Sequence, residues 1–257
     1  MPSSSHVPRK RFGQHFLHDP AVLERIADAI RPGREDFVVE IGPGEGALTR
    51  LLLERLEKIE VIEIDRDLAA RLEGEFASQA KVHQADALKF DFSVFPRGMR
   101  IVGNLPYNIS TPLLFHLARY ADRVRDMHFM LQLEVVERMV AAPSTEAYGR
   151  LSVSLQARFR MQKLFNVSKG AFRPPPKVES AVVRLEPLPL ILPIDEDLLR
   201  RAFSARRKTL RNSLPGVDFG SLGIDAGLRP ENLSPQDYAR ISAALAAFSS
   251  KAASGPG

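Results

Sequence analysis

Residues 37–49, FVVEIGPGEGALT, decide the fold. Apart from Glu40 the first five are apolar and rich in β-branched side chains, the composition of a short buried strand. They run directly into Gly42, Gly44 and Gly46, spaced G-x-G-x-G, and then into an apolar helical stripe of Leu48, Leu51, Leu52 and Leu56 over 47–57. A strand, a glycine turn and a helix in that order make the first half of a βαβ unit. Glycine lets backbone amides approach a ligand with no Cβ in the way. A tight turn alone would use the same glycines, so the neighbouring strands have to arbitrate.

Working outward, KIEVIEID (58–65) predicts a second strand that ends on Glu63, 21 positions after Gly42. AKVHQADAL and MRIVGNLPY supply a third and a fourth strand end, and MHFMLQL (127–133) a fifth strand leading into EVVERMV. Helices are predicted at 20–31, over RDLAARLEGEF, and at 111–120, the last with Pro112 in its first turn. Strands alternating with helices predict a parallel sheet covered on both faces, with ligands outside the carboxyl ends of the strands. Every motif considered below falls at such an end.

The glycine spacing selects among nucleoside ligands. A dinucleotide site uses G-x-G-x-x-G with a helix N-terminus on the pyrophosphate. Here the third glycine comes one residue early, and Pro43 removes an amide that a phosphate could have used. Glu63 can accept hydrogen bonds from both ribose hydroxyls, and Asp86 at the third strand end can accept one from an adenine amine. A ligand with ribose and adenine but no phosphate fits, and S-adenosylmethionine is such a ligand. A nucleotide-dependent oxidoreductase is disfavoured by the same spacing.

The fourth strand end carries Asn104-Leu105-Pro106-Tyr107. A turn has use for Asn and Pro but not for a large ring at its tip. The exocyclic amine of adenine is a poor nucleophile, because its lone pair is delocalised into the ring. The Asn104 side-chain oxygen and the Leu105 backbone carbonyl could grip its N–H groups. Pro106 would stiffen the loop, and the base could stack on Tyr107 after leaving its helix. GAFRPPPKVES (170–180) offers a second ring, Phe172, to close the other side.

Composition narrows the class. The 257 residues are 44% hydrophobic and 26% charged, ordinary for a globular protein. There is no cysteine, which excludes thiolate chemistry and disulfides and fits a cytoplasmic location. No apolar run is long enough to cross a membrane, and no signal-peptide core stands at the N-terminus. The net charge of +5 raises the expectation of a polyanionic partner. The basic residues cluster in the tail 1–11 and in RRAFSARRKTLR (200–211), where six cations stand without an acid. Like charges at helical spacing repel unless an anion lies nearby. LEPLPLILP (185–193) breaks the alternating pattern, and 195–214 and 235–248 read as helices without strands between them. The predicted domains are 1–187, 188–250 and a disordered tail, 251–257.

Taken together, FGQHFL (12–17), EIGPGEGALT, VIEID, GNLPYNIST, FRPPPKVESAVV and FSARRKTLRNSL (203–214) resemble the KsgA-type small-subunit rRNA adenine dimethyltransferase family. The resemblance spans about residues 9–250 in order. It implies a Rossmann-like α/β methyltransferase sheet with a small all-helical C-terminal domain. It also implies transfer of four methyl groups from S-adenosylmethionine to two adjacent adenosines near the 3′ end of small-subunit rRNA during subunit assembly. By the family pattern His15, Leu17, Gly42, Gly44, Glu63, Asp86 and Asn104 contact the cofactor. Arg206, Arg207, Lys208 and Arg211 are the expected C-terminal contacts to RNA, in a protein expected to act as a monomer on immature small subunits. His15 departs from the pattern, which often has Asn there; with His18 it lacks the acid or cysteine a metal would want, and no metal is expected. Two alternatives keep the fold: a large-subunit rRNA methyltransferase of the antibiotic-resistance type, and a non-catalytic assembly factor.

Overall fold

The computed structural model describes residues 15–253. In chain order the elements are β1 (Phe16–Leu17), α1 (Pro20–Ile30), β2 (Val38–Ile41), α2 (Ala47–Leu53), β3 (Ile59–Glu63), α3 (Arg66–Glu75), β4 (Ala80–Gln84), β5 (Met99–Asn104), α4 (Ser110–Ala118) and β6 (Val124–Gln132). There follow α5 (Leu133–Val140), α6 (Arg150–Gln156), β7 (Phe159–Val167), β8 (Phe172–Arg173), β9 (Ser180–Pro187), α7 (Glu196–Ser204), α8 (Leu210–Ser213) and α9 (Pro235–Ala253). The basic tail 1–11 and residues 254–257 lie outside the described residues.

The chain divides into two compact units. One runs to Val136 and takes up Met161–Pro187; the other joins Glu137–Arg160 to the chain from Leu188 onward. The sequence reading placed 137–160 in the first domain. The structure packs Tyr148, Val153 and Ala157 into an apolar cluster with Leu198, Leu199, Ala202, Leu210 and Tyr238. The chain therefore enters the helical unit at α5 and returns to the sheet through β7 before leaving for good.

The first unit holds a seven-stranded sheet in the order β4-β3-β2-β5-β6-β9-β7. β2 pairs in parallel with β3 and β5, β3 with β4, and β5 with β6. β9 is antiparallel to β6, so the sheet is mixed rather than wholly parallel as the alternating pattern suggested. All four residues of β2 are buried, and so are Met99–Gly103 of β5, which means both faces are covered. On one face Val38, Val61, Val102, Met130 and Val182 pack with Leu23, Ile26 and Ile30 of α1 and with Leu48 and Leu52 of α2.

Local chemistry sets the helix ends around the site. The Asp19 carboxylate accepts from the Ala21 and Val22 amides, at 2.9 and 3.3 Å, and Pro20 follows it at the first helical position. Arg31 closes α1 in the left-handed conformation. In the helical unit the helix predicted over 195–214 is broken. α8 starts afresh at Leu210, its first amides bonded to the Leu228 and Ala226 carbonyls instead of to the preceding turn. α9 continues to Ala253, three residues into the tail predicted to be disordered.

Candidate active site

Going outward from β2, the chain crosses to β3 and β4 on one side and to β5 on the other, so strand order reverses between β2 and β5. Ligands in doubly wound sheets bind outside the carboxyl ends at such a point. A cavity of about 300 Å³ lies there, lined among others by His15, Leu17, Gly42, Gly44, Glu63, Asp86, Asn104, Leu105, Pro106 and Tyr107. The structure thus gathers every residue named above for the cofactor, and four of the five named for catalysis.

The glycine loop turns its amides inward. Gly42 N donates to the Ile62 carbonyl at 2.9 Å, Gly46 N to the Pro43 carbonyl at 2.9 Å, and Gly44 N to Glu63 Oε2 at 3.3 Å. Pro43 has no amide to offer. These donors therefore hold the turn together and are not presented to a phosphate. Gly44 has φ +58, and a Cβ there would stand 2.9 Å from the Phe16 ring, so neither its backbone nor its space admits a side chain.

Glu63 closes β3 almost fully buried. Its two oxygens accept from Gly44 N and from Asp65 N, the latter at 2.9 Å. Burial raises its pKa, while those amide bonds pull the other way. Ile64 beside it is 45% exposed and lines the cavity, an apolar surface next to the ribose-type acceptor. Asp86 Oδ1 accepts from Leu88 N at 3.0 Å in a turn that fixes the carboxylate at the cavity wall. Glu40 sits beneath the glycines, 2% exposed, and accepts from Thr49 Oγ1 at 2.7 Å. Burial pushes its pKa up to about 7, with the neighbouring Glu63 adding to the rise.

On the β5 side the Asn104 amide nitrogen donates to the His15 backbone carbonyl at 2.9 Å. A carbonyl can only accept, so the side-chain orientation is fixed and Oδ1 is left as an acceptor without a partner among the described residues. The His15 ring stacks on Tyr107, centroids 5.5 Å apart and 28° between planes, and its Nδ1 lies 2.7 Å from the Pro174 carbonyl. By the same reasoning that Nδ1 carries a proton. Leu105 N donates to the Met130 carbonyl at 3.2 Å, tying the loop to β6.

Phe172 is not brought to the cavity. It is 2% exposed in the core, paired with Leu17 in the short ladder of β1 and β8. Leu17 and Phe172 share one apolar cluster, and no local pattern marks that ladder. Gly103 carries no local signal either: a Cβ there would meet the Ile41 carbonyl oxygen at 2.4 Å, so glycine is what lets β5 lie against the end of β2. Only a map of strand neighbours could have revealed it.

In the helical unit the run of cations is partly neutralised. Arg200 pairs with Asp197 at 2.9 Å, and Arg206 pairs with Glu231 and donates to the Glu146 carbonyl. The counter-charges come from outside the stretch, so the six cations do not all stand uncompensated as the sequence suggests. Arg207, Lys208 and Arg211 are exposed and make no ion pair among the described residues. No cluster of potential metal ligands occurs among the described residues, and no helix there is long and apolar enough to cross a membrane.

A glycine turn whose amides bond to β3 and to the turn itself, opposite an Asn-Leu-Pro-Tyr loop at the reversal of a doubly wound sheet, defines a Rossmann-like methyltransferase. The pattern of the ribosomal RNA adenine dimethylase family matches residues 5–246, and the chain belongs to that family. It is 57% identical to ribosomal RNA small subunit methyltransferase A of Aromatoleum aromaticum, covering 97% of this chain and 98% of that protein. It is 58% identical to the protein of the same name from Nitrosospira multiformis, covering 92% and 95%. Among solved structures, a dimethyladenosine transferase from Plasmodium falciparum aligns with a TM-score of 0.77 at 28% identity, over 93% of this chain and 98% of that one. The 23S rRNA methyltransferase ErmE aligns with a TM-score of 0.68 at 27% identity, over 90% and 99%.

Proposed function

We propose that the chain transfers methyl groups from S-adenosylmethionine to the N6 amines of two adjacent adenosines near the 3′ end of small-subunit rRNA, giving N6,N6-dimethyladenosine. The carrying observation is the fixed Asn104 amide, whose nitrogen is held by the His15 carbonyl so that Oδ1 faces the site as an acceptor. When bound, the cofactor supplies an electrophilic methyl group on a sulfonium. The fit rests on the residues at hand: Glu63 for the ribose, Ile64 as an apolar surface for the purine, Asp86 for its amine, and no amide cradle for a pyrophosphate.

Asn104 Oδ1 and the Leu105 carbonyl hold the N–H groups of the target amine, which favours a nitrogen lone pair free to attack. Tyr107 receives the flipped base on its ring. No general base is needed before attack, because the nitrogen becomes strongly acidic once methylated, and its proton can then leave to water. The exposed Arg207, Lys208 and Arg211 bind phosphates, which positions the RNA without reading its sequence. The small-subunit assignment rests on the names of the relatives with more than half their residues in common. The work is assigned to the cytoplasm, on immature small subunits, by a monomer.

The test incubates the protein and S-adenosylmethionine with unmethylated small subunits and, separately, with large subunits. The rRNA is digested to nucleosides and analysed by mass spectrometry. Dimethyladenosine from the small subunit alone is expected. Product from the large subunit would keep the chemistry and overturn the substrate, and no product from either would leave a binding role.

A further inference from the structure

GAFRPPPKVES buries Phe172 in the core, and the motif reaches the site instead through its last residue, Ser180. Tyr107 Oη lies 2.6 Å from Ser180 Oγ, a contact between residues 73 positions apart. Ser180 is fully buried and opens β9 directly opposite Gln132 of β6. The preceding carbonyl, of Glu179, accepts from Leu133 N at 2.9 Å, so the backbone around this hydroxyl is held on one side by the first residue of α5 and on the other by β6. Tyr107 by contrast belongs to the loop between β5 and α4, where its carbonyl accepts from Ser110 Oγ at 3.1 Å.

We infer that Ser180 is a positioning residue for the reaction: its hydroxyl fixes the Tyr107 ring in the orientation that receives the target base. A tyrosine ring in a loop can swing between staggered wells about χ1. A bond at its far end selects one well, and a buried partner on a sheet strand leaves that bond little freedom. The His15 ring covers one face of Tyr107, and on the reading above the base takes the other. Ordering such a side chain only when the base arrives would weaken binding by up to about tenfold. The inference rests on the reading of Tyr107 as the base platform, and it assigns Ser180 a role without contact to substrate.

The experiment compares Ser180→Ala, Tyr107→Phe and the double variant with the wild-type chain. Steady-state methyl transfer is measured with small subunits and cofactor varied in turn. Affinity for an RNA hairpin of the small-subunit 3′ end is measured separately by filter retention. Tyr107→Phe removes the hydroxyl from the loop side without touching the buried strand, so it reads the bond even if Ser180→Ala folds poorly. Both single variants are expected to raise KM for subunits and weaken hairpin binding by about five- to tenfold, with KM for the cofactor unchanged. The double variant is expected to be no worse than either, because both remove one bond. Near-wild-type behaviour of Tyr107→Phe, losses that multiply in the double variant, or an equal rise in the cofactor KM would each overturn the inference. A wild-type chain that methylates neither subunit would instead overturn the reading beneath it, and the inference with it.

Discussion

Arg100 stands near the start of β5 and Asn104 at its end, four positions apart, and the protein treats the two polar side chains in opposite ways. Arg100 is 3% exposed and fully engaged: it donates to both oxygens of Asp126 at 2.9 Å, to Asp36 at 2.9 Å, and to the Ile30 and Arg31 carbonyls at the end of α1. That ion cluster pins α1 against the sheet and fills its space. Among the described residues the Asn104 side chain makes one bond, through its nitrogen, and its oxygen has no partner beside the cavity. Where every donor is matched, a buried charge serves the fold; where one acceptor is left unmatched next to a void, the site is ready for a ligand.

The contrast predicts that damage at the two ends will appear in different measurements. Arg100→Met takes the close cationic partner from the buried Asp126, while Asp36 keeps Arg125 at 3.0 Å, and should cost about 3–5 kcal/mol of stability, read by urea unfolding. A loss under 1 kcal/mol would mean the cluster contributes little to holding α1. Asn104→Ala should reduce turnover at least about a hundredfold, since a donor or acceptor aimed at the reacting group typically carries that much, while shifting the urea midpoint little. Near-normal turnover would remove Asn104 from the chemistry and blur the distinction.

Glu40 and His128 lie in one row across the sheet, each in register with Val102 between them. Burial lowers the His128 pKa to about 4 and raises that of Glu40 to about 7. The signs oppose. Glu40 contributes stability that is full below the ordinary Glu range and is lost as pH rises through about 7. The contribution of His128 is full above the ordinary His range and is lost as pH falls through about 4. Over the shared window they offset each other. Glu40→Gln keeps an acceptor for Thr49 and removes one side of the balance. It should be more stable than wild type by about 2 kcal/mol above pH 7 and should lose stability more steeply on acidification. Parallel pH–stability curves for the two proteins would refute this.

The smallest effect is expected on the exposed face of the helical unit. Replacing Arg207, Lys208 and Arg211 by Ala should weaken RNA binding by about tenfold near physiological salt and flatten its salt dependence by about two to three in slope. Cofactor affinity should not change. An unaltered salt slope would place the RNA contacts elsewhere.

Much of the site was legible because it is local chemistry at strand ends. Three glycines with a proline between them, an acid 21 residues on, and Asn-Leu-Pro-Tyr after an apolar run each carry their meaning within a few residues. The sheet's parallel half was equally readable, from alternation of strand and helix. β7 and β9 were not read as strands. β9 follows a proline-rich stretch, and its place beside β6 depends on a chain reversal with no periodic signal. The break at 205–209 was hidden too, because α8 takes its first partners from residues 226 and 228.

By itself, the sequence determined which chemical groups stand at the carboxyl ends of the strands, since those groups follow from motif spacing along single segments. Only the tertiary structure decided how they are held. Gly103 is required by the closeness of the Ile41 carbonyl, Phe172 is drawn into the core by β1, and Tyr107 is met by Ser180. Residues 137–160 join helices that come 40 and more positions later. The reason is physical: contacts between distant segments are fixed by strand order and packing, and neither leaves a trace in the local period of the chain.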